Sequence, residues 1–205
     1  MKRLIIITPY SSKELINKYR DYDIIGVDEG IYLAKEEGIV LTYAISNFKS
    51  VDFNQVLSFV SKEKILKYSI NESYISCLRK IIDFIFNKGY EKIILLEDIS
   101  KLIINTIDLL QLLKYSEGKL VIQDDVNYIS YYSKGNFVIS KQGYNNISII
   151  GFPNATISVD HLNKPIENVK IDISQDRPLL LDLYQRVGLL KVHDGGVLLI
   201  LSNDD

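Results

Sequence analysis

Residues 23–30 read DIIGVDEG, and this stretch decides the fold class of the first half of the chain. Its apolar part, residues 23–27, is typical of a β-strand that is buried on both faces. The acidic pair Asp28 and Glu29 follows, and Gly30 marks the expected start of a helix. A buried strand that leads through a short acidic turn into a helix is the repeating unit of a parallel α/β sheet.

The same alternation extends outward on both sides of this stretch. Further strands are predicted by apolar, β-branched runs at residues 4–8, 41–45 and 92–96. Helices are predicted from a capping pattern or from apolar spacing at residues 11–19, 54–59, 73–88 and 102–115. The sequence therefore predicts a Rossmann-like domain with a parallel sheet over residues 1–117.

The pattern changes near Gly118, after which no helix is predicted. Strand-like runs recur instead at residues 120–123, 128–132, 137–140, 147–150, 155–159, 169–173 and 197–201, separated by Gly, Asn, Asp and Pro. Short strands at this spacing are typical of a sandwich or barrel. We therefore expect residues 118–205 to form a β-sandwich domain, so that the fold class is α/β followed by all-β.

Composition and charge exclude several classes of protein. The 205 residues carry 24 basic and 26 acidic side chains without a basic block, which argues against nucleic acid as a partner. No apolar segment approaches the length of a membrane span. Cys77 is the only cysteine, so an internal disulfide is impossible. Together with the lack of a signal-peptide pattern after Met1, this predicts a cytoplasmic protein.

Two polar segments stand where ligands bind in open parallel sheets, beyond the carboxyl ends of strands. One is Asp28, Glu29 and Gly30, and the other is residues 46–50, which read SNFKS. Ordinary turn chemistry accounts for either segment taken alone. No Walker A, GxGxxG, HExxH or paired-cysteine motif accompanies them.

Taken together, the segments resemble the thiamin pyrophosphokinase family over essentially the whole chain. Residues 24–30 resemble the family's Asp-Gly-Gly-Ala turn after its second strand, and residues 89–96 resemble its helix-to-strand passage. Residues 155–158, 165–168 and 196–200 match the order of segments in its tail. The resemblance implies transfer of pyrophosphate from ATP to thiamine with Mg²⁺, giving AMP and thiamine diphosphate. It also implies a homodimer.

The chain departs from this family at its acids. Where the family has Gly-Asp-Phe-Asp-Ser, this chain has Asn47 and Lys49 at the two acid positions, so no catalytic position is intact. Its next acidic motif has no surviving acid in either possible alignment of residues 71–79. By resemblance, the positions left for a nucleotide or substrate are Asp28, Gly30, Asn47, Ser50, Asn105 and Asp182. Mg²⁺ prefers carboxylate oxygens, so these replacements argue against a metal site.

Three hypotheses for the function follow. The first is a non-catalytic, thiamin pyrophosphokinase-like protein that keeps a site for a nucleotide or a thiamine-like ligand. The second is an active pyrophosphokinase with a rebuilt site that acts on thiamine or another small alcohol. The third is a structural or interaction protein that keeps only the dimer frame. A polar, open pocket at Asp28 and Asn47 favours the first two, whereas one filled by Tyr74, Leu102 and Ile103 favours the third.

Overall fold

The computed structural model describes residues 2–99, 103–184 and 186–203, with the side chains of residues 103–105 excepted. The chain forms two compact units. The first comprises Met1–Leu112 and Ile122–Asp125, and the second comprises Leu113–Val121 and Val126–Asp205. The division therefore runs through the segment that joins the helical and the all-β parts of the sequence.

The first unit is built on a parallel sheet. Its strands are β1 (Arg3–Ile7), β2 (Asp23–Val27), β3 (Tyr43–Ser46), β4 (Ile65–Lys67) and β5 (Lys92–Leu96), in the order β5-β1-β2-β3-β4. The paired strands are parallel throughout this order. The inner strands are apolar and buried along almost their whole length, as expected when helices cover both faces of a parallel sheet.

Helices connect these strands. They are α1 (Lys13–Lys18), α2 (Gly30–Glu36), α3 (Phe53–Leu57) and α4 (Tyr74–Asn87), with a short 3₁₀ helix at Lys62–Lys64 before β4. Helix α5 (Ile103–Tyr115) and strand β6 (Leu120–Gln123) follow β5. The long helix α4 was predicted from its apolar spacing, and it buries a stripe of apolar residues: Cys77, Leu78, Ile81, Ile82 and Ile85.

One predicted helix start was wrong by a residue. Helix α1 is capped by Ser12, whose Oγ accepts a hydrogen bond from the Leu15 N–H. Ser11, the expected cap, instead donates from its Oγ to the Leu96 carbonyl at 2.7 Å. The two adjacent serines are equivalent as capping residues in the sequence, and a long-range contact with β5 decides between them.

The second unit is antiparallel and all-β. Its strands are β7 (Asn127–Ser140), β8 (Asn146–Asp160), β9 (Ile166–Asp172), β10 (Leu179–Leu180) and β11 (Val187–Ser202). They pair in the order β10-β8-β11-β7, and β9 pairs with β8. Between Gly118 and Asn203, the described residues contain no helix. The predicted fold class, α/β followed by all-β, is confirmed.

The predicted lengths of these strands were wrong. The runs at residues 128–132 and 137–140 belong to the single strand β7, and β8 and β11 continue in the same way for 15 and 16 residues. Inside these long strands, residues that suggested turns lie instead at shifts of register, such as Gly195 between Val192 and Gly196 and Pro153 and Asn154 between Gly151 and Ala155. A bulge lets a strand absorb such residues and bend without ending.

Two tyrosines of β7 lie in the core of the second unit: Tyr128 and Tyr131 are 6% and 5% exposed. They are therefore unavailable to a partner. Across the described ranges of the chain, no helix has the length and apolar character needed to span a membrane.

Candidate functional site

Polar side chains gather at the carboxyl ends of the parallel strands in the first unit. Thr8 follows β1, Asp28 follows β2, Ser46 ends β3 and Glu97 follows β5, and all four are buried. Because the carboxyl ends of parallel strands meet at one edge of the sheet, residues far apart in sequence come together here. We call this group, with Asn47, Tyr68 and Tyr74, the sheet-edge cluster.

Asp28 is the centre of the cluster. Its φ is +49°, which turns the backbone sharply at the end of β2, and its N–H donates to the Ile45 carbonyl at 3.0 Å. The Ser46 hydroxyl donates to Asp28 Oδ1 at 2.8 Å, and the Tyr68 hydroxyl donates to Oδ2 at 2.5 Å. Each carboxylate oxygen of Asp28 is therefore bonded within the protein.

Tyr68 holds this arrangement together from the end of β4. Burial and the neighbouring Asp28 raise the pKa of the Tyr68 hydroxyl, which keeps it protonated as a donor. The Asn47 side-chain amide in turn donates to the Tyr68 oxygen at 3.2 Å. The sequence gives no signal for Tyr68, because β4 has only three residues and no clear strand pattern.

The loop at residues 46–50 is held by its own backbone. The Phe48 N–H donates to Ser46 Oγ at 3.0 Å, and the Lys49 N–H donates to Asn47 Oδ1 at 2.8 Å. Phe48 has a φ of +60°, and its ring packs edge-on against Phe53 at 5.0 Å between centroids. Lys49 and Ser50 are exposed. The side-chain oxygen of Asn47, Oδ1, thus accepts a hydrogen bond that stabilises the loop.

Glu97 is the second buried acid of the cluster. It is 0% exposed, and the Tyr74 hydroxyl donates to its Oε2 at 2.6 Å. Its Oε1 is buried and has no hydrogen-bond partner among the described residues. Burial raises the pKa of Glu97 to about 7, which the hydrogen bond from Tyr74 only partly opposes. Glu97 was not among the predicted site residues, although an acid directly after an apolar strand is a usable signal.

Hydrogen bonds connect the ends of β1 and β5 beside Glu97. The Thr8 hydroxyl donates to the Leu96 carbonyl at 2.9 Å, and the Thr8 N–H donates to Ser11 Oγ at 2.8 Å. Gly30 lies against the same region, because a Cβ added there would come within 2.8 Å of the Ile7 carbonyl carbon. Gly30 therefore allows α2 to approach β1 closely, which is a packing role.

The remaining predicted site residues lie elsewhere. Asp182 belongs to the second unit, is exposed and accepts a hydrogen bond from the Asn163 side chain. The side chains of Asn105, Ile103 and Ile104, and the whole of Leu102, are outside the described residues. The structure thus brings Asp28 and Asn47 together and places Ser50 on the exposed side of their loop.

An acid and a thiol lie around the start of α4. Glu72 Oε1 forms a salt bridge with Lys80 at 2.8 Å, and Glu72 Oε2 is buried without a hydrogen-bond partner in the described part of the chain. Cys77 is buried, and burial raises the pKa of its thiol to about 12, so it remains protonated. Cys77 is therefore not an anionic ligand, and the charge of Glu72 is paired with that of Lys80.

The described residues do not fit a magnesium ion. In the part of the chain that the structure describes, no three His, Cys, Asp or Glu side chains are grouped to hold a metal. The two oxygens of Asp28 each accept a hydrogen bond, from Ser46 and from Tyr68. Asn47 Oδ1 accepts one from the Lys49 N–H. Mg²⁺ needs several oxygen ligands in near-octahedral geometry, usually including carboxylates and substrate phosphates.

Comparison with known structures identifies the fold. Thiamine pyrophosphokinase from Bacillus subtilis superposes with a TM-score of 0.79 over 100% of both chains, at 19% sequence identity. Thiamin pyrophosphokinase from Geobacillus thermodenitrificans gives 0.80 at 19% identity, covering 99% of this chain and 98% of that one. The yeast enzyme gives 0.74 at 12% identity, covering 98% of this chain and 86% of that one.

No family model matches the chain, and no curated protein sequence matches it. The predicted resemblance is confirmed at the level of the fold, which this chain shares with these pyrophosphokinases over its full length.

Proposed function

We propose that this chain is a non-catalytic protein with the thiamine pyrophosphokinase fold, unable to transfer pyrophosphate from ATP to thiamine. The observation that supports this most directly is the state of Asp28. Its two oxygens accept hydrogen bonds from Ser46 and Tyr68, and it is only 9% exposed. These two hydrogen bonds use about half of the roughly four lone-pair sites of the carboxyl group, and burial limits access to the rest, so Asp28 has little capacity left as a metal ligand.

The adjoining loop supports the same proposal. Asn47 and Lys49 stand where the resemblance places two acids, and the Asn47 oxygen is taken by the Lys49 N–H. At a distance of ~4 Å, the Lys49 ammonium would repel a divalent cation by about 8 kcal/mol at an effective dielectric constant of ~20. Lys49 is exposed and can swing away, but it cannot act as a ligand.

The charge of the sheet-edge cluster also disfavours a nucleotide polyphosphate. Its ionisable acids are Asp28 and Glu97, both buried. Phosphoryl transfer depends on positive charge placed around the transferring group. Neither acid supplies positive charge, and at neutral pH the partly ionised Glu97 adds negative charge to this edge.

An activity assay with matched variants tests the proposal. AMP release from ATP and thiamine with Mg²⁺ would be measured for the wild type and for Asn47→Asp/Lys49→Asp. A third protein would add Tyr68→Phe to this pair, which leaves Asp28 Oδ2 without its tyrosine donor. We expect no turnover by the wild type and the greatest gain in Mg²⁺ affinity in the triple variant. Wild-type turnover near ~1 s⁻¹, an ordinary enzyme rate, would overturn the proposal.

Calorimetry separates the two non-catalytic hypotheses. Titration with ATP, AMP and thiamine, each with and without Mg²⁺, would show whether the chain keeps a ligand site. Binding of AMP or thiamine without turnover would make the chain a binding protein. Absence of binding by all three would favour a structural or interaction role.

A second candidate function rests on Glu97. A buried carboxyl group with a pKa of about 7 and one unpartnered oxygen has the properties of a general base for an alcohol. An active enzyme with a rebuilt site would use it to take the proton of the substrate hydroxyl. Both oxygens are shielded in this structure, so the substrate would have to displace Tyr74. If the wild type is active, Glu97→Gln should remove that activity. Glu91→Gln changes an exposed residue directly before β5 and should leave the activity unchanged.

A further inference from the structure

A groove in the second unit gathers positive charge without any acidic neighbour in its walls. It has a volume of about 540 Å³ and is lined by Ser140, Lys141, Gln142, Gly143, Leu183, Arg186 and Val187. All of these residues belong to the second unit. The volume lies in the range of sites for small organic ligands.

The two cations of the groove are unpaired. Within the described ranges of the chain, neither Lys141 nor Arg186 forms a salt bridge or a side-chain hydrogen bond. Two positive charges that face one groove repel each other, and a bound anion would relieve that repulsion. The Arg186 guanidinium matches the planar or tetrahedral oxygens of a carboxylate or phosphate, and Lys141 adds a point charge.

A tight turn presents one side of the groove. Gln142 and Gly143 have φ values of +49° and +95°, and the Tyr144 N–H donates to the Lys141 carbonyl at 2.8 Å. The turn lies in the connection between β7 and β8, which each pair with β11 and not with each other. Its hydrogen bond fixes the backbone on both sides of Gln142 and Gly143.

The opposite side of the groove is apolar. Leu183 and Val187 line it, and Val187 is 39% exposed. Gly188 lies beside Leu183, because a Cβ at Gly188 would meet Leu183 Cδ2 at 2.7 Å. The groove thus combines two cations and polar donors with an apolar wall.

We propose that this groove binds a small organic anion: a molecule with a phosphate or carboxylate group on an apolar body. The anion lies between Lys141 and Arg186, within reach of the Ser140 and Gln142 side chains, and the apolar body lies against Leu183 and Val187. All of the residues that line this site belong to the second unit, and none is a member of the sheet-edge cluster.

Calorimetry on the full chain tests this site with four probes: phenyl phosphate, benzoate, inorganic phosphate and the uncharged benzyl alcohol. We expect phenyl phosphate or benzoate to bind at least tenfold more tightly than inorganic phosphate and benzyl alcohol. Tighter binding of one of the two aromatic anions identifies the charged group that the site prefers. Failure of both to bind at millimolar concentration would overturn the proposal.

Matched variants locate the binding. Lys141→Gln/Arg186→Gln should weaken the aromatic anion at least tenfold. Lys134→Gln/Lys191→Gln removes the same charge from exposed positions of the second unit outside the groove lining, and it should leave the affinity within twofold. If both pairs of substitutions weaken binding equally, the net charge of the protein explains the effect and a specific site is contradicted. Unchanged affinity in the groove variant would also contradict a specific site.

Discussion

At the scale of single residues, the sheet-edge cluster is organised by tyrosine hydroxyls that donate to buried carboxyl groups. Tyr68 donates to Asp28 and Tyr74 donates to Glu97. A tyrosine donor satisfies a carboxylate without bringing a counter-charge, so the cluster stays acidic while its acids are held in place. Because no cation offsets the effect of burial, burial raises the pKa of Glu97.

The pKa of Glu97 predicts a specific dependence of stability on pH. It is raised to about 7 in the folded chain, from an ordinary value of 4.5. Between these two values the folded state binds more protons than the unfolded state, so the free energy of unfolding falls as the pH rises through this window. The shift corresponds to a loss of roughly 3 kcal/mol by pH 8, where the charged form must be buried.

Glu97→Gln should therefore be more stable than the wild type at pH 8 and should differ from it little at pH 4. Glutamine keeps an acceptor for the Tyr74 hydroxyl and cannot ionise. Urea denaturation at unit steps from pH 4 to pH 8 would measure this difference, with the exposed change Glu91→Gln as the control. Parallel stability curves for the wild type and Glu97→Gln would contradict the prediction.

At the scale of secondary-structure elements, the start of α2 packs closely against β1, next to the sheet-edge cluster. Gly30 lies at this contact, and Gly26 lies at the neighbouring contact between β2 and α2. A Cβ on Gly26 would stand 2.9 Å from the Ile31 Cα, and one on Gly30 would meet the Ile7 carbonyl. Backbone atoms cannot move aside as a flexible side chain can. Both glycines are therefore needed for packing.

Gly30→Ala should destabilise the chain by about 1–3 kcal/mol, the usual cost of overpacking. Helix propensity alone predicts the opposite sign, because alanine is better than glycine in a helix by up to about 1 kcal/mol. The sign of the change in unfolding free energy, measured by urea denaturation, thus decides between the two effects. A stabilised variant would show that α2 does not approach β1 as closely as described.

At the scale of the whole molecule, we propose a homodimer, as the resemblance to pyrophosphokinases implies. Tyr128 and Tyr131 do not contribute to its interface, since both are buried in their own unit. Exposed apolar side chains offer another surface: Val138 and Leu189 are directly paired across β7 and β11, and they are 68% and 43% exposed. Apolar side chains that remain exposed side by side on a sheet often mark an association surface.

Light scattering should give twice the 23.5 kDa mass of the single chain. Val138→Lys/Leu189→Lys should shift the mass to that of the monomer, because it places two charges in an apolar interface. Val40→Lys changes a highly exposed residue of the first unit and should leave the dimer intact. A wild type that is monomeric at all concentrations would exclude the dimer.

The sequence by itself determined the fold class and the position of two site residues. The alternation of apolar strands with amphipathic helices is a local pattern, and local patterns survive folding when all elements agree with the global fold. It therefore predicted the parallel sheet, and it placed Asp28 and Asn47 beyond the carboxyl ends of β2 and β3. The strand-only pattern after Gly118 predicted an all-β second part for the same reason.

Only the tertiary structure decided what those site residues do. Tyr68 lies 40 residues after Asp28, and Glu97 lies 23 residues after Tyr74, so no local pattern predicts either contact. The same holds for the length of the strands in the second unit. Gly, Asn and Pro predict turns locally, but the pairing of β11 with both β7 and β8 keeps the strands continuous through their bulges. Contacts between distant segments contribute free energy that no short window of sequence contains, and at these positions they outweigh the local preference.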